Sequence, residues 1–220
     1  MKAMILAAGY GKRMRPLTDQ TPKPLLKVRG KPLIVWHIEK LAAAGYQDIV
    51  INIGWLGEQI PAALGCGEQW GVRLYYSDEQ QEGILETAGG IIKALPLLGH
   101  EVFLVINGDI WCDYPCRPIT LDHGDLAHLV LVANPPHHPE GDFALQKNRV
   151  INNQVLPHYT FSGIGFYRSE LFRQLSYGKH PLGPLLREAI QDQAVSGELY
   201  TGEWLDIGTP ERLQVLNSRP

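Results

Sequence analysis

The stretch MILAAGYGKRMRPLTDQTPKPLL, residues 4–26, runs from a short apolar segment directly into a turn carrying Gly9 and Gly11. Residues 2–7 read as a strand, so the glycines sit where a Rossmann phosphate loop would, but the third glycine of that loop is missing. A P-loop is excluded as well, because Arg13 follows Gly11-Lys12 where serine or threonine should hold magnesium. What remains is a glycine turn crowded with cations: Lys12, Arg13, Arg15, Lys23 and Lys27 face Asp19 alone. Glycines let backbone N–H groups approach an oxyanion closely, and the Arg13 guanidinium can grip phosphate oxygens in a fork. Pro16, Pro22 and Pro24 stiffen the return and fix Lys23 in place. In an open α/β sheet, the carboxyl end of a strand is where ligands bind.

The rest of the first half supports such a sheet. Residues 48–53 (DIVINI), 72–77 and 101–106 (EVFLVI) read as strands. Residues 31–44, 55–64 (despite Pro61) and 87–95 read as helices between them. Strands alternating with helical segments imply βαβ units and a mainly parallel sheet with helices on both faces. Residues 126–133 add a strand. Beyond Pro135 the rhythm changes: 142–155 and 159–167 read as strands without a helix between them, followed by helices at 183–192 and 209–216. In the last of these, Pro210 stands near the first helical position. The expectation is an α/β fold with a β-rich insertion in its second half, residues 1–220 forming one domain.

Composition bounds the partners. The chain has 220 residues, a formal net charge of −3, 45% hydrophobic and 20% charged residues, so no global field recruits nucleic acid or an anionic membrane. No apolar run approaches the roughly 20 residues of a membrane span, and none resembles a signal peptide. Cys66, Cys112 and Cys116 are too few for a disulfide framework. Cys112, Cys116 and His123 also lack the paired spacing of a zinc site. A cytoplasmic protein with reduced thiols is expected.

Chemistry on a phosphate held by cations would also call for carboxylates that hold a metal. Asn107-Gly108-Asp109 lies at the carboxyl end of EVFLVI, where Gly108 permits a sharp turn. A second acid, Asp206, stands in WLDIGTP, residues 204–210. On their own these segments read equally well as a common turn and a strand end.

Together, LAAGYGKRMRPLTDQTPKPLL, the Gly-Asp after the central strand and W-x-D-I-G-T-P resemble the signatures of the sugar-phosphate nucleotidyltransferases, and the resemblance covers essentially the full chain. It implies a Rossmann-like, GT-A-like fold whose opening loop wraps a nucleoside triphosphate through Ala7, Gly9, Gly11, Lys12 and Arg13. Lys23 would bridge the phosphates, and Asp109 and Asp206 would hold the catalytic Mg2+. Arg13, Lys23, Asp109 and Asp206 are thus the expected catalytic set. The second substrate would be a sugar 1-phosphate, bordered by Asn107 and Asp142, with UTP the expected nucleotide. A phosphate monoester is mostly a dianion at pH 7, so no general base is required. Indeed no Ser-His-Asp or Cys-His arrangement is legible.

The segment 86–90 (ETAGG) resembles the family's border of base and sugar. In the preceding DEQQE, Glu79 and Glu82 are both candidates for reading the base. The adjacent His137-His138 reads as an exposed loop pair. Other substrate pairs stay open: mannose 1-phosphate with GTP, glucose 1-phosphate with UTP or dTTP, or phosphocholine with CTP. So does a catalytically silent nucleotide-binding subunit. The expected assembly is a monomer or small homo-oligomer.

Overall fold

The computed structural model describes residues 1–153 and 155–218. The first half contains β1 (Lys2–Leu6), β2 (Lys27–Val28), β3 (Lys31–Pro32), α1 (Leu33–Ala43), β4 (Asp48–Ile53), α2 (Gln59–Leu64), β5 (Arg73–Asp78), α3 (Glu86–Leu98) and β6 (Phe103–Asn107). The second half contains β7 (Ile110–Cys112), β8 (Ala127–Val132), β9 (Phe143–Gln146), β10 (Arg149–Ile151), β11 (His158–Tyr167), α4 (Leu182–Gln191), β12 (Val195–Tyr200), β13 (Trp204–Asp206) and α5 (Pro210–Ser218).

Nine of these strands form one sheet in the order β5-β4-β1-β6-β11-β8-β12-β10-β9. The pairs β5–β4, β4–β1 and β1–β6 are parallel. β11 then runs antiparallel to both β6 and β8, and β10 antiparallel to β12 and β9. All sheet strands except β11 and β10 therefore share one direction. The mainly parallel, Rossmann-like sheet expected from sequence follows, and the antiparallel strands belong to the β-rich second half.

The apolar runs explain the layering. A parallel strand covered on both faces reads as a continuous hydrophobic segment. In β1, Ala3 and Ile5 pack with Ile34, Ile38 and Leu41 of α1 and Ile60 of α2. Met4, between them, packs on the other face with Ile91 and Ala94 of α3 and Leu186 of α4. A third cluster joins Met14 and Val28 to Ile207, Leu213 and Leu216, tying the opening loop to α5.

Several element bounds differ from the sequence reading. Residues 31–32 pair with β2 in a small hairpin, so α1 begins at Leu33. Residues 55–58 form a turn, with Leu56 at φ 50°, which shortens α2. The strand expected over 142–155 is a hairpin, β9 and β10 in register Gln146↔Arg149, and its Gln154 lies outside the described residues. β12 went unread because glycine interrupts VSGELY. A side chain at Gly197 would come within 2.6 Å of Val150 Cγ2, and the small residue lets β10 lie against this strand. Cys112 and Cys116 are buried free thiols, and no helix among the described residues is long and apolar enough to cross a membrane.

Candidate active site

The chain moves from β1 to β4 and β5 on one side, then crosses to β6 on the other. The crevice at the carboxyl ends of β1 and β6 is therefore the topological switch point, where α/β sheets bind ligands. A cavity of about 350 Å³ opens there, lined by Ala7, Gly9, Gly11, Lys12, Arg13, Lys23, Asn107 and Asp109. Of the residues expected from sequence, Asp142 and Asp206 do not line it.

The opening loop is built around Gly11, whose φ of +60° places it in the left-handed region that favours glycine. A side chain there would stand 2.8 Å from Thr18 Cγ2. The Gly11 carbonyl accepts from the buried Thr18 hydroxyl (2.9 Å) and from Met14 N–H (2.7 Å). Met14 is fully buried while Lys12 and Arg13 stay exposed, so one side chain anchors the turn and two face the cavity. At Gly9 an added Cβ would meet nothing within 4 Å, which leaves the backbone open to a ligand. Ala7 differs: its N–H donates to Asn52 Oδ1 at 2.7 Å and is not free for a phosphate.

Asn52 continues inward. Its amide donates to Glu79 Oε1 at 2.7 Å, and Leu85 N–H donates to Glu79 Oε2 at 3.1 Å. Burial raises the Glu79 carboxyl above the ordinary range, against the pull of these two donors. The pair lies against α3 because Gly90 has no side chain: a Cβ would approach Glu79 Oε1 to 2.7 Å. Of the two acids left open by sequence, Glu79 lines the cavity. Glu82 is turned to Lys93 (2.5 Å) and the Tyr177 hydroxyl (2.7 Å).

The two aspartates are brought together by backbone pairing. At the end of β6, Gly108 N–H donates to the Leu6 carbonyl at 2.9 Å, and a Cβ on Gly108 would lie 2.5 Å from that oxygen. Only glycine allows this closeness. The next strand, β7, pairs with β13 so that Ile110 faces Asp206, and Ile207 N–H donates to the Asp109 carbonyl at 2.7 Å. Lys23 Nζ lies 2.8 Å from Asp109 Oδ2, with the lysine side chain only 12% exposed. Asp206 Oδ2 accepts from Arg212 of α5, and its Oδ1 lies 3.0 Å from His137 Nε2. Gly208 opens the space between: its Cβ would lie 3.1 Å from Asp206 Oδ2 and 3.5 Å from Arg13 Nη1.

These residues fit a hard divalent cation. Asp206 Oδ1 is buried with no well-directed hydrogen bond, leaving lone pairs to spare. Among the described residues no group of three or more His, Cys, Asp or Glu forms a metal cage. A two-carboxylate site of this kind suits an ion that keeps waters and phosphate oxygens as its other ligands.

His137-His138 is a loop pair at the surface, as sequence reasoning expects, with side chains 37% and 40% exposed, but each histidine faces an aspartate. His137 faces Asp206, and His138 Nε2 lies 3.2 Å from Asp142 Oδ1. Asp142 Oδ2 in turn accepts from Phe161 N–H at 2.8 Å, which binds the insertion together. Arg212 was also missed, while Trp204 was read only as part of the W-x-D motif and Ser162 only as part of the insertion. Trp204 Nε1 donates to the Ser162 carbonyl at 2.9 Å, and Ser162 Oγ donates to the Val130 carbonyl at 2.6 Å across an irregular register in β11. Asn107 lies against Gly163, where φ is +82° and a Cβ would come within 2.6 Å of Asn107 Nδ2. The W-x-D motif thus hangs from the bulge that also seats Asn107.

A second cavity, about 370 Å³, shares Glu86, Thr87 and Asn107 with the first and adds Asp142, Phe143, Phe161 and the start of α4. Glu86, a non-glycine residue at φ 61°, stands between the two. Such strain persists where surrounding structure fixes it, often at ligand sites.

Behind Asp109, His37 of α1 is 3% exposed and its Nε2 has no partner. Burial pushes its pKa down to about 3, helped by Lys40 and opposed by Asp109 and Ile110. The folded protein holds this histidine neutral while the unfolded chain protonates it below about pH 6.5. Its contribution is complete above that pH and is lost as pH falls toward 3, by up to about 1.4 kcal/mol per pH unit. Urea unfolding between pH 7.5 and 4.5 is expected to show a steeper loss for wild type than for His37→Gln. Parallel slopes would remove His37 from the acid response.

Three comparisons bear on this arrangement. The family model described as "Nucleotidyl transferase" matches residues 2–219. An N-acetylmuramate alpha-1-phosphate uridylyltransferase of Neisseria meningitidis is 52% identical over 97% of this chain and 96% of its own length. A mannose-1-phosphate guanyltransferase of Aspergillus fumigatus is 32% identical over 96% of this chain, which spans 62% of that protein. Among solved structures, a crystal structure from Bacillus anthracis described as a glucose-1-phosphate thymidylyltransferase superposes with a TM-score of 0.87 at 25% identity. The match covers 99% of this chain and 94% of that one.

Proposed function

The chain belongs to the nucleotidyl transferase family, and from that premise we propose that it joins UTP to the α-1-phosphate of N-acetylmuramic acid, giving the UDP-sugar and pyrophosphate. The observation that carries the reaction is the convergence of Arg13, Lys23, Asp109 and Asp206 at the switch point of the sheet. The choice of substrates is supported by the 52% identity to the Neisseria protein along nearly the whole of both chains.

In this reading the triphosphate lies along Gly9 and Gly11, with Lys12 and Arg13 on its oxygens. The sugar enters the second cavity beside Asn107 and Asp142. An oxygen of the sugar phosphate forms a bond to the α-phosphorus as the bond from that phosphorus to the α–β bridging oxygen breaks. Pyrophosphate leaves with the electron pair. The nucleophile is already a dianion, so no side chain needs to take a proton from it. The obstacle is repulsion between anions, which alignment and charge neutralisation remove. Lys23 supplies one mobile cation and Arg13 a planar one. A magnesium ion held by Asp109 and Asp206 supplies, when bound, Lewis-acid neutralisation of the phosphate oxygens. His137 and Arg212 hold the Asp206 carboxylate in position. Residues 1–220 act as one catalytic unit, active in the cytoplasm in the reuse of cell-wall sugar, as a monomer or small homo-oligomer.

The test is pyrophosphate release with magnesium across UTP, GTP, CTP and dTTP, each against a panel of sugar 1-phosphates including N-acetylmuramic acid 1-phosphate. Turnover centred on UTP with that sugar is expected. Release with GTP and mannose 1-phosphate would keep the mechanism and replace the substrates. Nucleotide binding without release from any pair would leave a silent regulatory subunit.

A further inference from the structure

We propose that Arg187 forms a carboxylate-reading subsite in the second cavity, one that receives an acidic substituent of the sugar; this rests on the reading of that cavity as the sugar site. Arg187 lines the second cavity and not the first. It lies in α4, whose opening residues Leu182 and Gly183, with the preceding Pro181, line the same cavity.

Helical side chains lean toward the helix N-terminus, so Arg187 reaches back over the residue one turn earlier. That residue is Gly183, and a Cβ there would stand 3.2 Å from Arg187 Nη1. Glycine leaves the room in which the guanidinium lies. The guanidinium carbon also sits 5.8 Å from the centre of the Phe143 ring, which steadies it from the opposite wall.

The electrostatics call for an anion. A helix N-terminus carries a partial positive charge, and α4 has no acidic residue in its first turn and no side-chain cap. Placing an arginine over that end adds like charge to like charge. Among the described residues Arg187 has no ion-pair partner, although two acids line the same cavity. Glu86 is taken by Lys179 at 3.2 Å, and Asp142 by His138 and Phe161 N–H. A guanidinium left free beside a helix N-terminus is matched by a planar anion in bidentate geometry.

That anion is not the phosphate at the reacting centre, which the cations of the first cavity neutralise. It belongs to the sugar itself. N-Acetylmuramic acid carries such a group, the carboxylate of its lactyl ether, whereas mannose and N-acetylglucosamine carry none. Arg187 would therefore separate acidic from neutral sugar phosphates.

The experiment measures kcat/KM with UTP for N-acetylmuramic acid 1-phosphate and for N-acetylglucosamine 1-phosphate, the same sugar without the lactyl ether. It uses wild type, Arg187→Met and Arg187→Lys. The ratio of acidic to neutral sugar is expected to fall about 10- to 100-fold in Arg187→Met, chiefly through KM for the acidic sugar. Arg187→Lys should fall between, keeping charge and losing the fork. An unchanged ratio in Arg187→Met, with wild type still favouring the acidic sugar, overturns the subsite and leaves the substrate assignment standing. An equal loss on both sugars makes Arg187 structural and overturns the subsite in the same way. Wild type that favours the neutral sugar overturns both.

Discussion

Asp109→Asn and Asp206→Asn are each expected to lower kcat by about three orders of magnitude or more, with the fold intact. Asparagine keeps the shape of the carboxylate and removes its charge, so the magnesium site proposed above would lose half of its protein ligands. Removing one member of a set that acts as a unit typically costs nearly as much as removing all of it. The double variant should therefore be at most about tenfold slower than either single one. Folding should survive, because the contact that joins the two segments runs through backbone: Ile207 N–H donates to the Asp109 carbonyl, and neither side chain takes part. Steady-state pyrophosphate release at saturating magnesium, with thermal melts alongside, measures both effects. Turnover within tenfold of wild type in both single variants would remove the metal assignment.

Lys23→Met should reduce kcat by about 10²- to 10³-fold while changing nucleotide affinity less than tenfold. The ammonium lies 2.8 Å from Asp109 and is largely buried, so in the free protein it neutralises a carboxylate. A group that leaves one anion for another as charge develops stabilises the transition state more than the ground state, and its loss appears in kcat. Lys23→Arg should recover only part of the rate, since a compact point charge gives way to a broad fork. Nucleotide binding measured by calorimetry, beside kcat, separates the alternatives. A raised KM at unchanged kcat would make Lys23 a ground-state binding residue only.

Much of this arrangement was legible in sequence because its determinants are local. The continuous apolar run of β1 followed by Gly9 and Gly11 specifies a buried parallel strand and a turn whose backbone a ligand can approach. Gly108 after β6 does the same for the turn that carries Asp109. Residues whose roles arise only through long-range pairing were not legible. His137 meets Asp206 from a distant loop, and no spacing in the chain links them; Arg212 is near in sequence, but only the turn into α5 brings it back onto Asp206. Glu79 and Glu82 are three residues apart and chemically alike. What separates them is Gly90 on α3, where a missing side chain leaves room for one carboxylate, and Lys93, which captures the other. Arg187 is exposed on α4, and the cavity it lines is visible only once Phe143 and α4 face each other.

The pairing of β7 with β13 has a thermodynamic consequence. The strands are distant in the chain, so closing this loop carries an entropic cost of its own, on top of that of the comparably distant β1–β6 pairing. A partly folded molecule that has formed β1, β4, β5 and β6 possesses the glycine turn and Asp109 but lacks Asp206. Ligands that require both aspartates bind the completed chain alone and stabilise it by mass action, RT ln(1 + [L]/Kd), without stabilising any intermediate.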